Sequence, residues 1–297
     1  MTLDQLRIFV AVAEREHVTQ AAAALNLTQS ATSAAIAALE ERHAVRLFDR
    51  VGRRIALTEA GRLMLGEARA VLARAAQAER LLADLAGLRR GALHLAASQT
   101  VASYWLPPRM QAFQRLHPGI DLTLVVGNTD AVARRVASAE VDLGFVEGPV
   151  ADPALASTPL PGDELALAVA PGHAMAGMTA MTAADLAATR WVLRELGSGT
   201  RAASDAALAR HGLATADLTV TLELPSNEAV RSAVEAGGAA TILSTLVLAP
   251  SFAAGRLVRV PFDLPARDFH LLRHAARHPS PAERRFVASI GLTGGHA

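Results

Sequence analysis

Three short stretches place hydroxyl groups where an apolar run gives way to a helical pattern: Ser98-Gln99-Thr100, Gly127-Asn128-Thr129-Asp130 and Gly197-Ser198-Gly199-Thr200. The first residues of a helix carry backbone N–H groups without intrahelical partners and a partial positive charge. Several such turns converging on one cleft make an anion site. On this reading Ser98, Thr100, Thr129, Ser198, Gly199 and Thr200 contact a small oxyanion, a phosphorylated metabolite or a carboxylate, with Glu147 and Asn227 as near neighbours. Ordinary helix capping by the same hydroxyls is the plainer alternative. Glu147 complicates the anion reading, because a carboxylate there needs a protonated or cationic group on the ligand, or a structural role. The Gly197 stretch is not a nucleotide P-loop, which needs a Lys before its Ser or Thr; all 29 basic residues of this chain are Arg. His270, His274 and His278 recur every four residues, as metal ligands on a helix would, but "DFHLLRHAAR" reads as a strand running into a loop. With no Cys, thiolate zinc sites and disulfides are excluded. No nucleophile elbow, zinc-protease or dinucleotide signature occurs, and nothing brings two carboxylates together for acid–base work. No enzyme and no cofactor is expected.

A second constellation lies near the N-terminus. The Ala-rich run from Gln20 to Glu40 should form one long helix, yet Asn26-Leu27-Thr28-Gln29-Ser30 interrupts it. Asn tolerates the left-handed conformation that ends a helix, and Thr28 can cap the next one. Two helices of about eight and thirteen residues joined by a short turn are helix-turn-helix geometry, with Ala22, Leu25, Leu27, Ala31, Ile36 and Leu39 facing inward. The second helix opens with Gln29, Ser30, Thr32 and Ser33, short polar groups suited to phosphates and base edges in a major groove. Arg46, Arg50, Arg53 and Arg54 collect on or beside a hairpin around Val51-Gly52, a wing suited to backbone or minor-groove contact. Net charge is only +1, so placement of charge rather than its total must attract DNA.

The elements that position these residues follow from periodicity. Residues 1–58 read as three short helices and the hairpin. From Glu59 to Leu88 the apolar positions Met64, Ala68, Val71, Ala75, Ala78, Leu82 and Leu85 alternate in steps of four and three, the seam of a coiled coil that would pair two copies of the chain. After Gly91, strands and helices alternate in two similar sets, which argues parallel sheets covered by helices and a cleft between two lobes. Trp105 and Trp191 sit in apolar surroundings and read as packing. The N-terminus lacks the pattern of a signal peptide, and no apolar run approaches a membrane span, so a cytoplasmic protein without a membrane partner is expected.

The stretch from Gln20 to Gly61 resembles the winged helix-turn-helix of LysR-type transcriptional regulators. The likeness runs through Leu25-x-x-Thr28-Gln29-Ser30, Ile36-x-x-Leu39-Glu40, Leu47-Phe48-x-Arg50 and Leu57-Thr58-x-x-Gly61, and continues diffusely over nearly the whole chain. Arg194 to Arg201, "RELGSGTR", further resembles the effector loop of carbon-fixation and sulfur-assimilation regulators. The resemblance implies an α/β protein with a DNA-binding domain (1–58), a linker dimerisation helix (59–89) and an effector domain like type 2 periplasmic-binding proteins (90–297). Lobe I would hold about 90–161 plus 267–297 and lobe II about 162–266. Implied partners are double-stranded promoter DNA, a small anionic effector, a second copy in a homodimer or homotetramer, and RNA polymerase. Thr28, Gln29, Ser30, Thr32, Ser33, Arg53 and Arg54 are assigned to DNA, and Ala68, Val71, Ala75, Ala78, Leu82 and Leu85 to the dimer seam. Many members have Arg-Gln where Ala34-Ala35 stands, Val where Thr32 stands and Gly where Ala44 stands. A solute-binding protein or an enzyme on the same fold are the alternatives.

Overall fold

A computed structural model describes residues 1–51, 54–85 and 91–291. The chain divides into two compact units, Met1–Arg89 with Ser138–Glu140, and Arg90–Ala137 with Val141–Ala297.

The first unit opens with α1 (Leu3–Arg15), started by a reciprocal cap in which Gln5 N–H donates to Thr2 Oγ1 at 3.2 Å and Thr2 N–H donates to Gln5 Oε1 at 3.0 Å. Helices α2 (Val18–Ala24) and α3 (Gln29–His43) are separated by the expected turn. Asn26 is left-handed at φ 54, and Thr28 Oγ1 accepts from Ala31 N–H at 3.2 Å. The interrupted helix is thus two helices, stopped and restarted by adjacent residue types. A two-stranded wing follows, β1 (Phe48–Val51) against β2 (Arg54–Leu57), and then α4 (Glu59–Leu85). Leu6, Phe9, Val12, Ala21, Ile36, Leu39 and Leu47 form the core. Helix α3 ends on Ala44 at φ 51, a conformation in which an L side chain costs about 1–2 kcal/mol. Ala44→Gly is therefore expected to stabilise this unit by about 1 kcal/mol in urea unfolding, with the turn unchanged.

The second unit contains two five-stranded sheets. One runs in the order β4-β3-β5-β12-β6, from β3 (Gly91–Ser98), β4 (Ile120–Gly127), β5 (Leu143–Glu147), β6 (Leu155–Asp163) and β12 (Arg267–His274). The other runs β11-β7-β10-β8-β9, from β7 (Leu165–Val169), β8 (Arg190–Arg194), β9 (Thr219–Leu224), β10 (Ala240–Ser244) and β11 (Val258–Val260). Helices α5 (Leu106–Leu116), α6 (Thr129–Ala137) and α11 (Pro281–Ser289) accompany the first sheet, and α7 (Ala183–Ala188), α8 (Gly199–Arg210), α9 (Asn227–Glu235) and α10 (Thr245–Ala253) the second. The sheets are mixed rather than parallel. β12 runs antiparallel to β5 and β6, and β7 antiparallel to β10 and β11, because the chain crosses between lobes on extended strands.

Strand β6 and helix α10 escape the sequence reading. Pro159 and Pro161 argue against a strand, but β6 is a sheet edge, where a missing N–H costs nothing. Helix α10 is apolar without clear periodicity and contains Pro250. The two crossing strands meet where Gly162 leaves no room for a Cβ, which would lie 1.8 Å from the Arg267 carbonyl oxygen. Beside it Arg267 pairs with Asp163 through Nε–Oδ1 at 2.5 Å and Nη2–Oδ2 at 2.9 Å. Each lobe has its own core, Phe113, Phe145, Phe269 and Phe286 in one and Trp191 with Leu165 and Ile242 in the other. Trp105 and Trp191 are both buried, and Trp191 Nε1 donates to the Leu186 carbonyl at 2.9 Å. Strand β12 carries His270 and His274 as expected, with His270 beside Ser157 Oγ at 2.9 Å.

Candidate nucleic-acid interface and ligand cleft

Helix α3 buries one face and presents the other. Ile36 and Leu39 enter the core, while Thr28, Gln29, Ser30 and Ser33 are exposed around its N-terminus. Thr28 and Ser30 hydroxyls stand 3.1 Å apart at the tip. Thr32 is a correction: it is fully buried, and its hydroxyl donates to the Thr28 carbonyl at 3.1 Å. It lies one turn before Ile36 on the core stripe, so it holds the helix start and presents nothing outward. Leu27 and Ala31, expected inward, are exposed. Arg53 lies outside the described residues, and of Arg54 only the strand backbone is described. Sequence reasoning missed Glu40. Its Oε1 accepts from Leu47 N–H at 2.7 Å and Phe48 N–H at 3.1 Å, bracing the start of the wing against the recognition helix.

On α4 the expected seam divides. Ala68 is fully buried in its own unit with Met64, Leu65 and Leu72 packed around the same core, so it serves this chain and not a partner. Beyond it the apolar residues emerge: Val71 is 40% and Leu82 68% exposed, with Ala78 exposed and Ala75 half-buried. Among the described residues, those of α4 packed in the core shared with α1 run from Ala60 to Leu72, which is why one periodic stripe serves two surfaces. The Leu85 side chain lies outside the described residues.

In the second unit the strand-to-helix turns of both lobes do converge. Lobe I brings Gln99 and Thr100 from the turn after β3 and Asn128 and Thr129 from the turn after β4. A five-residue π turn, Val101–Trp105, separates Thr100 from α5. Lobe II brings Arg194, Glu195 and Ser198–Thr200 from the β8–α8 turn and Asn227 from the start of α9. Two polar clasps result. In the first, Asn227 Nδ2 donates to Thr100 Oγ1 at 3.1 Å, Asn227 N–H to Gln99 Oε1 at 2.9 Å, and Tyr104 Oη to Glu228 Oε1 at 3.3 Å. Burial and the Glu228 carboxylate raise the Tyr104 pKa, keeping it a donor. In the second, Asn128 Nδ2 donates to Glu195 Oε1 at 3.2 Å, and Asp130 N–H to the Gly197 carbonyl at 3.2 Å. Gly199 touches lobe I so closely that a Cβ would lie 2.5 Å from the Glu147 carbonyl and 2.7 Å from Thr129 Oγ1.

Of the eight expected ligand residues, Thr129, Glu147, Ser198 and Gly199 line a cavity of about 680 Å³, together with Asp130, Leu196, Arg201 and Arg267. Ser98, Thr100, Thr200 and Asn227 do not line it. Thr129 Oγ1 donates to Glu147 Oε2 at 3.4 Å, Ser198 Oγ caps α8 by accepting from Arg201 N–H, and Thr200 Oγ1 accepts from Arg267 Nη1 at 3.1 Å. Ser98 Oγ is buried with no hydrogen-bond partner among the described residues. Capping and a place in the cavity lining, set as alternatives by the sequence, coincide at Ser198.

Three buried guanidinium groups, none foreseen, dominate the charge here. Arg194 is forked onto Glu195, Arg201 pairs with Asp205 and Glu223, and Arg267 with Asp163. The local signal for the first two is the run Arg194 to Arg201, in which two Arg flank the Gly, Ser and Thr of the turn. Arg267 and Asp163 are 104 positions apart, and nothing in either neighbourhood announces the pair.

Residues 3–62 match the family described as "Bacterial regulatory helix-turn-helix protein, lysR family", and residues 86–291 match "LysR substrate binding domain". The chain is 37% identical, over 97% of its length and 96% of the relative's, to the uncharacterized HTH-type transcriptional regulator YeiE of Escherichia coli (strain K12). Its fold is similar to full-length CbnR complexed with target DNA, with TM-score 0.71 and 24% identity, covering 98% of this chain and 99% of that one. The second unit is similar to the regulatory domain of Synechocystis PCC6803 CcmR in complex with 2-PG, with TM-score 0.62 and 28% identity, covering 68% of this chain and 96% of that one.

Proposed function

The chain belongs to the LysR family of DNA-binding transcriptional regulators, and from that premise we propose how its residues divide the work. Gln29, Ser30 and Ser33 read the major groove, Thr28 orients the helix tip toward a phosphate, and Arg53 and Arg54 of the wing reach the adjacent backbone. The observation that carries this reading is the two-faced α3: its polar N-terminal tip is exposed while Thr32, Ile36 and Leu39 anchor the opposite face. Ala34 and Ala35 give this helix methyl groups where many relatives offer longer polar side chains, so direct readout rests on few contacts. Flanking phosphates supply most of the affinity.

A second copy packs along Val71, Ala78 and Leu82 of α4, giving a dimer that spans two half-sites, and two dimers form a tetramer. RNA polymerase is the downstream partner, and the protein works in the cytoplasm; among the described residues no helix is long and apolar enough to cross a membrane. The cavity at Thr129, Glu147, Ser198 and Gly199 takes a small anionic metabolite, without any catalytic step. Glu147 faces a proton-bearing or cationic group of that ligand. Binding acts on transcription through whatever difference in affinity the effector has for two lobe arrangements. Nuclease footprinting on the DNA upstream of the chain's own gene tests this. Two protected half-sites on one face of the duplex, altered by a small anion, are expected; an unprotected duplex at modest salt overturns the reading.

A further inference from the structure

Taking the cleft as an anion-responsive site, as read above, we propose that Glu195 is a built-in competitor of the effector at a subsite beside the cavity, whose lining on this turn starts at the next residue, Leu196, and includes neither Arg194 nor Glu195. The Glu195 carboxylate occupies the guanidinium of Arg194, which an incoming oxyanion takes over.

Arg194 ends β8 and its side chain is only 3% exposed. Nε donates to Glu195 Oε2 at 2.8 Å and Nη2 to Glu195 Oε1 at 2.9 Å. These two parallel bonds are the fork by which arginine recognises a carboxylate or two oxygens of a sulfate or phosphate. The rest of the residue is fixed: Nη1 donates to Asn227 Oδ1, and the Arg194 carbonyl accepts from Arg201 Nη1 at 2.8 Å. The fork is therefore preorganised, and its present occupant is a neighbouring side chain.

That occupant is held less firmly than the cation. Glu195 is 20% exposed, against 3% for Arg194, and it stands two residues before Gly197, whose φ of +84 turns the chain. The carboxylate can swing into water, whereas the guanidinium cannot. The other two buried guanidinium groups are poorer targets. Arg267 is held by Asp163, itself 3% exposed and also bonded by the Ser244 hydroxyl, and Arg201 has two carboxylates, so loss of one leaves the other. Exchange at Arg194 trades one anion for another and keeps the buried charge paired. A neutral isostere would leave the guanidinium uncompensated, which selects for anions over neutral analogues.

Displacement would also reach the lobe contact. Glu195 Oε1 accepts from Asn128 Nδ2 of lobe I, and Asn227, bonded to Arg194, donates to Thr100 of lobe I. Thr100, Asn227, Arg194, Glu195 and Asn128 form one chain of hydrogen bonds across the cleft. An oxyanion on Arg194 leaves the Asn227 end in place and releases the Asn128 end, so one clasp opens and the other holds.

The test is calorimetric titration of the full chain with sodium sulfate, sodium phosphate and sodium acetate at constant ionic strength. Glu195→Ala is expected to bind at least one of these at least tenfold tighter than the unaltered chain. Glu195→Gln should shift in the same direction, and Arg194→Lys combined with Glu195→Ala should lose the gain. Because Glu195→Ala leaves a buried cation unpaired, its melting temperature should rise more on adding the anion than that of the unaltered chain. If the unaltered chain binds an anion and both Glu195 variants bind it no tighter, or if the double variant keeps the gain, the competitor assignment is wrong while the anion cleft stands. If no anion binds any of the proteins, the anion reading of the cleft fails with it.

Discussion

Asp163→Ala is expected to destabilise the second unit by about 3–5 kcal/mol, the usual cost of removing one partner of a buried ion pair. For a unit of this size that lowers the melting temperature by about 10 °C. The size of the effect comes from what is left behind. Arg267 has a side chain only 7% exposed and would lose both of its Asp163 bonds, at 2.5 and 2.9 Å. Thr200, which accepts from Arg267 Nη1, and Ser244, which donates to Asp163, would lose their alignment too. The pair sits where both crossing strands join the lobes, so damage should appear first in lobe movement. Differential scanning calorimetry gives the stability, and protease sensitivity of the crossing strands gives the location. A melting temperature unchanged to within a degree would mean that water reaches the pair.

Ser30→Glu is expected to weaken DNA binding by about a hundredfold, equal to about 2.8 kcal/mol, while making the fold slightly more stable. The two halves of this prediction have opposite physical signs. Helix α3 has no acidic residue in its first turn, and a carboxylate there suits the helix dipole, favouring the folded state by about 0.3–1 kcal/mol. The same carboxylate faces the phosphates that the exposed tip approaches. Anisotropy with a labelled duplex reads the first effect and urea unfolding the second. Affinity lost together with stability would point to misfolding, and affinity retained would remove the α3 tip from the interface.

What could be read from the sequence was mostly local. Asn26 and Thr28 carry the helix break in their own side-chain chemistry, and the alternation after Gly91 locates most strands. Placement relative to distant surfaces was harder. Thr32 looked like a DNA contact by type, although its spacing from Ile36 and Leu39 puts it on the buried stripe. Ala68 fits a dimer seam by period, but the period cannot tell which helix covers it, and α1 does. Within the cleft, the hydroxyl turns were found because capping leaves a local signature. The hydrogen bond from Arg194 to Asn227 and the ion pair of Arg267 with Asp163 leave no such signature, since each depends on which elements become neighbours in the fold. Strand β6 was hidden by its own prolines, tolerated only because the strand lies at an edge.

The account depends on α3 and the wing gripping duplex DNA through phosphates and a few base edges. The most direct measurement is the affinity of the full chain for a duplex from its own promoter as salt is raised. Affinity is expected to fall by about a thousandfold between about 50 and 200 mM, along a straight line of log K against log salt. A flat line, or no binding at the lowest salt, would contradict the assignment of this surface to DNA.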